Sequence, residues 1–440
     1  MNRRRRRFPF VALWLLACGG NSAAPGRVLL VGLDGATMRL IAPLIEQGRL
    51  PHLAEIARRG VTGPLRSEAP LLSPRIWNTI ATSKPVSEHG IEGWVRLDDS
   101  GTPRLYTSRD RKVHALWNIV SNAGLRVGVV NWLDTQPPAK VNGAIVSDHM
   151  LPAMLESSLD FAEWATRRLY PDASRPLVSP AHHVSFAFPP EWTARVAALR
   201  EADTPLTPIV DPFANDAARL DPTIGALLSL SYRNDEFAAR VALAIDRELR
   251  PDLLMVYLPG IDKVSHCLWR SVERQELYPE SLRRPPELRA LRARALERYY
   301  EFVDALVGRL LEGFGASDLV MVVSDHGFEA TVLEVSTGTL TGGHESSQAS
   351  DGILFARGRG IGHGERVVGT SIYDVTPSVL AWLGLPVGQD MKGRVASFLD
   401  AEPVTPVATH DVGPIERLGG EDPRVEDAIV EQLRNLGYVK

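Results

Sequence analysis

Asp318-Leu-Val-Met-Val-Val-Ser-Asp-His-Gly-Phe328 is the stretch on which the fold turns. It opens as a short, wholly apolar run, the pattern of a parallel strand buried on both faces. It then breaks into Asp325-His326-Gly327, two metal-capable side chains followed by a turn residue. Ligands collect at the carboxyl edge of a parallel sheet, so an adjacent Asp and His there suit a metal better than a core. Two other runs repeat the pattern. The run Arg27-Val-Leu-Leu-Val-Gly-Leu33 delivers Asp34 and Gly35, and Asp252-Leu-Leu-Met-Val-Tyr-Leu258 delivers Asp262 and His266 a few positions on. If the three strands are parallel, all three carboxylates share one edge of one sheet.

Around these runs the chain alternates between helix and strand patterns. Helical periodicity over residues 38–47 and 50–59 is stopped by Gly48 and Gly60, each at the place of a helix C′ glycine. A loop over 67–72 becomes a helix near Ser73-Pro74. A helix over 114–122 leads to strands over 125–132 and 144–147. Amphipathic helices over 236–247 and 290–311 lead into the second and third key strands, and a strand over 351–356 and a helix over 373–383 follow. This alternation predicts an α/β fold: a doubly wound, mostly parallel central sheet flanked by helices. The core is expected over 27–149 and 235–399. Between them, residues 150–234 are rich in proline and poor in strand runs, and we assign them to an inserted lid. The tail over 400–440 is expected to end in a helix at 425–436. The arginines between 283 and 298 fit the solvated face of a helix.

Composition is that of a globular protein, with 44% hydrophobic and 23% charged residues over 440 positions. The first seventeen residues have the form of an export signal, with five arginines at positions 3–7 and an apolar run too short to span a bilayer. Leu15-Leu16-Ala17-Cys18-Gly19 resembles the bacterial lipobox, which implies cleavage before Cys18, a lipid on that cysteine and a tether over 18–26. The expected location is exported, periplasmic or at the cell surface, with the membrane engaged through this anchor. Loss of the five arginines moves the formal charge from -4 to about -9, so no footprint for nucleic acid is expected. Cys267 is the other cysteine; on a helix it would point about 100° away from His266, and it is expected to be buried and inert.

Asp262 and His266 are four apart and share a helix face, which suits two ligands on one metal. His344, in Thr341-Gly-Gly-His344, could be brought close by a glycine-rich loop. Carboxylate and imidazole ligands without thiolate favour zinc, with manganese or iron as alternatives. The six residues Asp34, Asp262, His266, Asp325, His326 and His344 are about right for two divalent ions, which can hold the attacking and leaving oxygens of an in-line displacement. For Ser73 the spacing leaves two roles open. It can cap a helix with Pro74 at N1, or it can be a nucleophile in the positive field of the helix N-terminus.

The ordered set Leu33-Asp34-Gly35, Pro70 to Ser73 with Thr82, His89-Gly90-Ile91, Asp262 with His266, Asp325-His326-Gly327 and Gly343-His344 resembles the alkaline phosphatase superfamily. Gly260-Ile-Asp-Lys-Val-Ser-His-Cys-Leu-Trp269 and the stretch from Asp374 to Pro386 resemble bacterial members of its type I phosphodiesterase/nucleotide pyrophosphatase branch. The resemblance covers about residues 27–394. It implies a di-zinc site, with Asp262, His266 and His344 on one metal and Asp34, Asp325, His326 and Ser73 on the other. It also implies that Ser73 attacks phosphorus to form a phospho-enzyme that water then hydrolyses. Serine stands where branch members often carry threonine, Ser265 replaces a glycine, and Trp94 occupies the place of an asparagine that helps hold a phosphoryl oxygen. Trp94 and Arg75 are therefore the expected substrate contacts. His89, His52, His114 and His410 are expected to be structural, and His149, His182, His183 and His363 surface or loop residues.

The expected function is metal-dependent hydrolysis of phosphodiesters or related phosphoryl esters of small molecules. A phosphomonoesterase or phosphoryl transferase would use the same residues with an added cation, for which Arg75 is near in sequence. A metal-binding surface lipoprotein without activity is the alternative from another class. A sulfatase needs a C/S-x-P-x-R context for its formylglycine, and Ser73-Pro74-Arg75 lacks the intervening residue.

Overall fold

A computed structural model describes residues 26–148, 169–170, 222–335, 338–344 and 351–418, together with 430 and 433. The leader with Cys18, His149, His182 and His183 lie outside the described residues. So do most of the expected lid and all of the terminal helix save Val430 and Leu433.

Thirteen strands are described, in chain order β1 (Val28–Leu33), β2 (Val61–Leu65), β3 (Val95–Leu97), β4 (Pro103–Leu105), β5 (Val127–Val130), β6 (Gly143–Val146), β7 (Leu169–Tyr170), β8 (Leu253–Leu258), β9 (Leu319–Val323), β10 (Glu329–Val335), β11 (Gly338–Gly343), β12 (Gly352–Arg357) and β13 (Glu365–Arg366). Nine form one mixed sheet in the order β13-β2-β12-β9-β1-β8-β5-β6-β7. β1 lies at its centre, parallel to β8 on one side and to β9 on the other. Register aligns Leu33 with Leu258 and Gly32 with Val323, so the three key strands end side by side. The parallel arrangement expected from the apolar runs is what the chain forms. β12 runs antiparallel to both β9 and β2.

Successive side chains of a strand point to opposite faces, and β1 shows this directly. Leu29, Val31 and Leu33 enter one core, with the helices Met38–Glu46, Pro51–Arg59, Pro222–Leu249 and Pro286–Leu311. Val28 and Leu30 enter the other, with Ser73–Thr82, Leu116–Asn122 and Val375–Trp382. Every residue of β1, β8 and β9 is buried, as two covered faces require.

Two details differ from the sequence-based expectation. Gly60 follows its helix with φ -156°, an extended rather than left-handed residue. A Cβ there would sit 2.0 Å from the Ala356 carbonyl oxygen, so the glycine serves the close approach of β12. Cys267 is half-buried, not buried, because its side of the Gly260–Leu268 helix does not face the core. His89 is structural as expected. Its Nδ1 accepts from Ile91 N at 3.1 Å, its Nε2 meets Thr79 Oγ1 at 3.1 Å, and burial pushes its pKa down to about 3.

Candidate metal centre

The carboxyl ends of β1, β9 and β8 supply most of the site. Asp34 is the residue after β1, and Asp325-His326 lie just past β9. Asp262 and His266 occupy successive turns of the Gly260–Leu268 helix that follows β8. His344 directly follows β11, whose hairpin with β10 lies against that helix. Ser73 is the first residue of the Ser73–Thr82 helix. All seven side chains are buried.

They fall into two groups able to hold a metal ion: Asp262 with His266 and His344, and Asp34 with Asp325 and His326, the ligand atoms of each group within 4.8 Å of one another. In the second group His326 Nε2 lies 3.4 Å from Asp34 Oδ1 and 3.2 Å from Asp325 Oδ2. In the first, Asp262 Oδ1 lies 3.5 Å from His266 Nε2 and 3.6 Å from His344 Nε2. Ser73 Oγ joins the second group, donating to Asp34 Oδ1 at 3.4 Å and lying 3.5 Å from His326 Nε2.

The orientation of the imidazoles is fixed from behind. His266 Nδ1 donates to Gly342 O at 2.9 Å, His326 Nδ1 to Gly327 O at 3.1 Å, and His344 Nδ1 to Leu71 O at 2.7 Å. A carbonyl on each Nδ1–H leaves the lone pair on Nε2, the nitrogen that faces the carboxylates, and such partners set the tautomer of metal-bound histidines. Asp325 is held by Gly35 N on Oδ1 at 3.2 Å. Gly35 has φ +65°, and a Cβ would sit 2.6 Å from Phe328 Cε2, so no other residue fits this turn without displacing that ring. Phe328 stacks edge-on against His266 and His344, with centroids 5.1 and 5.6 Å away, and closes one wall.

The electrostatics fit a cation. Burial pushes the Asp34 carboxyl well above its usual range, and the charges of Asp325 and Asp262 add to the effect. Burial and Asp262 push Asp325 up to about 7. Burial acts on Asp262 in the same sense, but His266 and His344 outweigh it and hold it below the carboxylate range. Burial and His326 push His344 well down, which keeps its Nε2 neutral. Oδ2 of Asp325 is buried and accepts no hydrogen bond among the described residues. Buried carboxylates this close cannot ionise together without a compensating charge, and divalent ions supply it.

Two residues that the sequence did not point to complete the cluster. Tyr257 OH and Trp77 Nε1 both donate to Asp34 Oδ2, the indole at 3.2 Å. Their signals were present but faint: Tyr257 is the one polar side chain in β8, and Trp77 is four residues after Ser73. The expected substrate contacts are placed less tightly. Arg75 is half-buried two residues after Ser73, a spacing that puts it on a different helix face. Trp94 is half-buried and packs against both cores.

The central α/β sheet thus carries an Asp/His cluster at the carboxyl edge of its parallel strands, with a serine on the adjoining helix. The family model for type I phosphodiesterase / nucleotide pyrophosphatase matches residues 28–348, and the chain belongs to that family. Among solved structures, wild-type alkaline phosphatase PafA is 14% identical with a TM-score of 0.51, over 86% of this chain and 99% of its own. Murine ectonucleotide pyrophosphatase/phosphodiesterase 5, in an inactive form with AMP, is 11% identical with a TM-score of 0.47, over 85% and 98%. Phosphonoacetate hydrolase from Sinorhizobium meliloti is 20% identical with a TM-score of 0.35, over 70% of this chain and 57% of that enzyme. This chain thus spans little more than half the length of that hydrolase. No curated protein matches the chain.

Proposed function

We propose that this protein hydrolyses phosphodiester or related phosphoryl ester bonds, with Ser73 as nucleophile at a site for two divalent ions, zinc first among them. The observation that carries this is the position of Ser73 Oγ, 3.4 Å from Asp34 Oδ1 and 3.5 Å from His326 Nε2, at the rim of one ligand group rather than in a bland capping role. The helix has no side-chain cap bond at its N-cap Leu72, so capping does not account for the hydroxyl. Asp34, Asp325 and His326 would hold one ion, and Asp262, His266 and His344 the other. Bound ions would act as Lewis acids on the phosphoryl oxygens and ease ionisation of the serine hydroxyl.

The chain's own part follows from its geometry. Ser73 directs its proton at Asp34 Oδ1, which leaves the oxygen's lone pairs for in-line attack on phosphorus. The Oγ–P bond forms as the bond to the departing alkoxide breaks, which leaves a phosphoserine, and a water then cleaves that ester and restores the hydroxyl. Of the first helical turn, Pro74 has no N–H and Ile76 N donates to Leu72 O, which leaves the N–H groups of Ser73 and Arg75 for the anionic phosphoryl group. Arg75 and Trp94 are proposed to line the substrate's path. Export and lipid attachment at Cys18 rest on the leader's sequence. Among the described residues no helix is long and apolar enough to cross a membrane.

The test is turnover of bis-p-nitrophenyl phosphate, p-nitrophenyl phosphate and p-nitrophenyl sulfate by zinc-loaded protein, beside Ser73→Ala. Diester turnover that falls by at least about 10³-fold in Ser73→Ala supports the proposal, by comparison with nucleophile losses elsewhere. A preference for the monoester or the sulfate moves the reaction class. Full activity in Ser73→Ala removes the nucleophile assignment.

A further inference from the structure

Asp34 is gripped from two sides. Its Oδ1 faces Ser73 Oγ at 3.4 Å and His326 Nε2 at 3.4 Å. Its Oδ2 accepts from Trp77 Nε1 at 3.2 Å and from Tyr257 OH, and so is turned away from the metal groups. Ser73 and Trp77 are four residues apart on one helix, hence on one face. A single helix therefore touches both oxygens of one carboxylate, the first with its leading hydroxyl and the second with an indole one turn later.

The surroundings fit this contact. A Cβ at Gly32, two residues before Asp34, would sit 2.7 Å from Trp77 Cη2 and Cζ3, so only glycine lets the indole lie over β1. Trp132 meets Trp77 edge-on at 5.1 Å, and its Nε1 donates to Trp77 O at 3.3 Å. Tyr257 meets Trp77 edge-on at 5.1 Å from the neighbouring strand. The three rings are buried and lock one another's orientation.

Building on the two-metal proposal above, we propose that Tyr257 and Trp77 are positioning residues. By occupying Oδ2 they make Asp34 a single-oxygen ligand, and through Trp77 they fix the rotation of the Ser73 helix against that ligand. Neither side chain touches the reacting atoms; each acts through Asp34. Tyr257 is the cleaner probe, because Tyr257→Phe keeps the ring and removes the one donor.

The experiment is zinc titration of the full chain by calorimetry, with metal content per chain, for wild type, Tyr257→Phe and Trp77→Phe. It is paired with the unfolding midpoint of each metal-free form and with kcat and KM on a diester. The proposal expects wild type to bind two ions. It expects Tyr257→Phe to bind one of them about 10–100-fold more weakly, the range for losing a ligand's outer partner, while the other keeps its affinity. It expects kcat to fall with little change in KM. Trp77→Phe should add a further loss in kcat at saturating zinc, because the helix rotation is no longer held. Equal affinity of both ions in wild type and Tyr257→Phe overturns the positioning role. So does a weakening matched by an equal fall in metal-free stability, which is what a merely structural contact gives. Fewer than two ions in wild type overturns the two-metal proposal itself, and this inference with it.

Discussion

The imidazole of His326 lies nearly flat on that of His344, with centroids 3.7 Å apart and planes 20° apart. His326 belongs to one ligand group and His344 to the other. The two groups therefore share a wall made of one ring from each. A change on either side of that wall reaches the other.

Removing His344 tests this coupling. His344→Ala takes a ligand from the Asp262 and His266 group and the stacking surface from His326. We expect the chain to hold one ion instead of two, and to hold that one about tenfold more weakly, at the low end of outer-partner effects. Metal content and calorimetric titration read both numbers. Retention of two ions would show that His344 is not a ligand.

Stability should follow pH through Asp235, which is not one of the candidate ligands but bonds the start of the helix that carries Asp262 and His266. It is fully buried, accepts from Tyr299 OH at 2.9 Å and from Gly260 N at 3.2 Å, and burial pushes its pKa up to about 7 from 3.8. Between those values the folded chain keeps a proton that the unfolded chain has lost. The contribution of this group to stability therefore falls as pH rises from about 4 to about 7 and is flat outside that window. Asp235→Asn keeps an acceptor without the charge. Its stability relative to wild type should climb across that window, and denaturant midpoints at pH 4, 5.5, 7 and 8 measure it.

Gly32→Ala should cost about 1–3 kcal/mol, the usual penalty for overfilling a packed core. The added methyl meets the six-membered ring of Trp77, which cannot retreat because Trp132 and Tyr257 hold it. The same substitution at Gly48, where nothing lies within 4 Å, meets no such neighbour and serves as the comparison. Its own cost comes from φ +73° alone. Equal tryptophan fluorescence in Gly32→Ala and wild type would show that the ring has not moved.

The sheet was legible where burial writes itself as uninterrupted apolar residues. β1, β8 and β9 are buried on both faces, and the aspartate after each run gave away the functional edge. Strands made of small residues were not legible. β2 contains Gly63 and Pro64, and a Cβ at Gly63 would sit 2.2 Å from the Val367 carbonyl oxygen. The glycine that hides the strand is what lets the neighbouring chain approach. β11 is similar: Thr341-Gly-Gly reads as loop, yet a Cβ at Gly342 would sit 2.4 Å from Trp269 Cβ. Close packing of backbone on the Gly260–Leu268 helix, rather than a flexible loop, brings His344 to its place. The six candidate ligands were picked out by residue type and order, and the structure brings them together in two groups of three. Trp77 and Tyr257 were passed over because large aromatic residues in apolar runs are ordinarily core, and only the structure shows where their polar atoms point.

The strand order has a consequence for how the molecule is made. β1 precedes the other described strands in the chain, yet it sits between β8 and β9, which begin at Leu253 and Leu319. Until those segments exist, an all-apolar ribbon waits with both edges bare, and such ribbons recruit one another. Asp34 meets the last of its partners only once His326 has been laid down, and the other ligand group is completed later still, by His344. No piece that stops short of His344 carries both candidate ligand groups, so the cluster stays incomplete until the sheet's middle is closed.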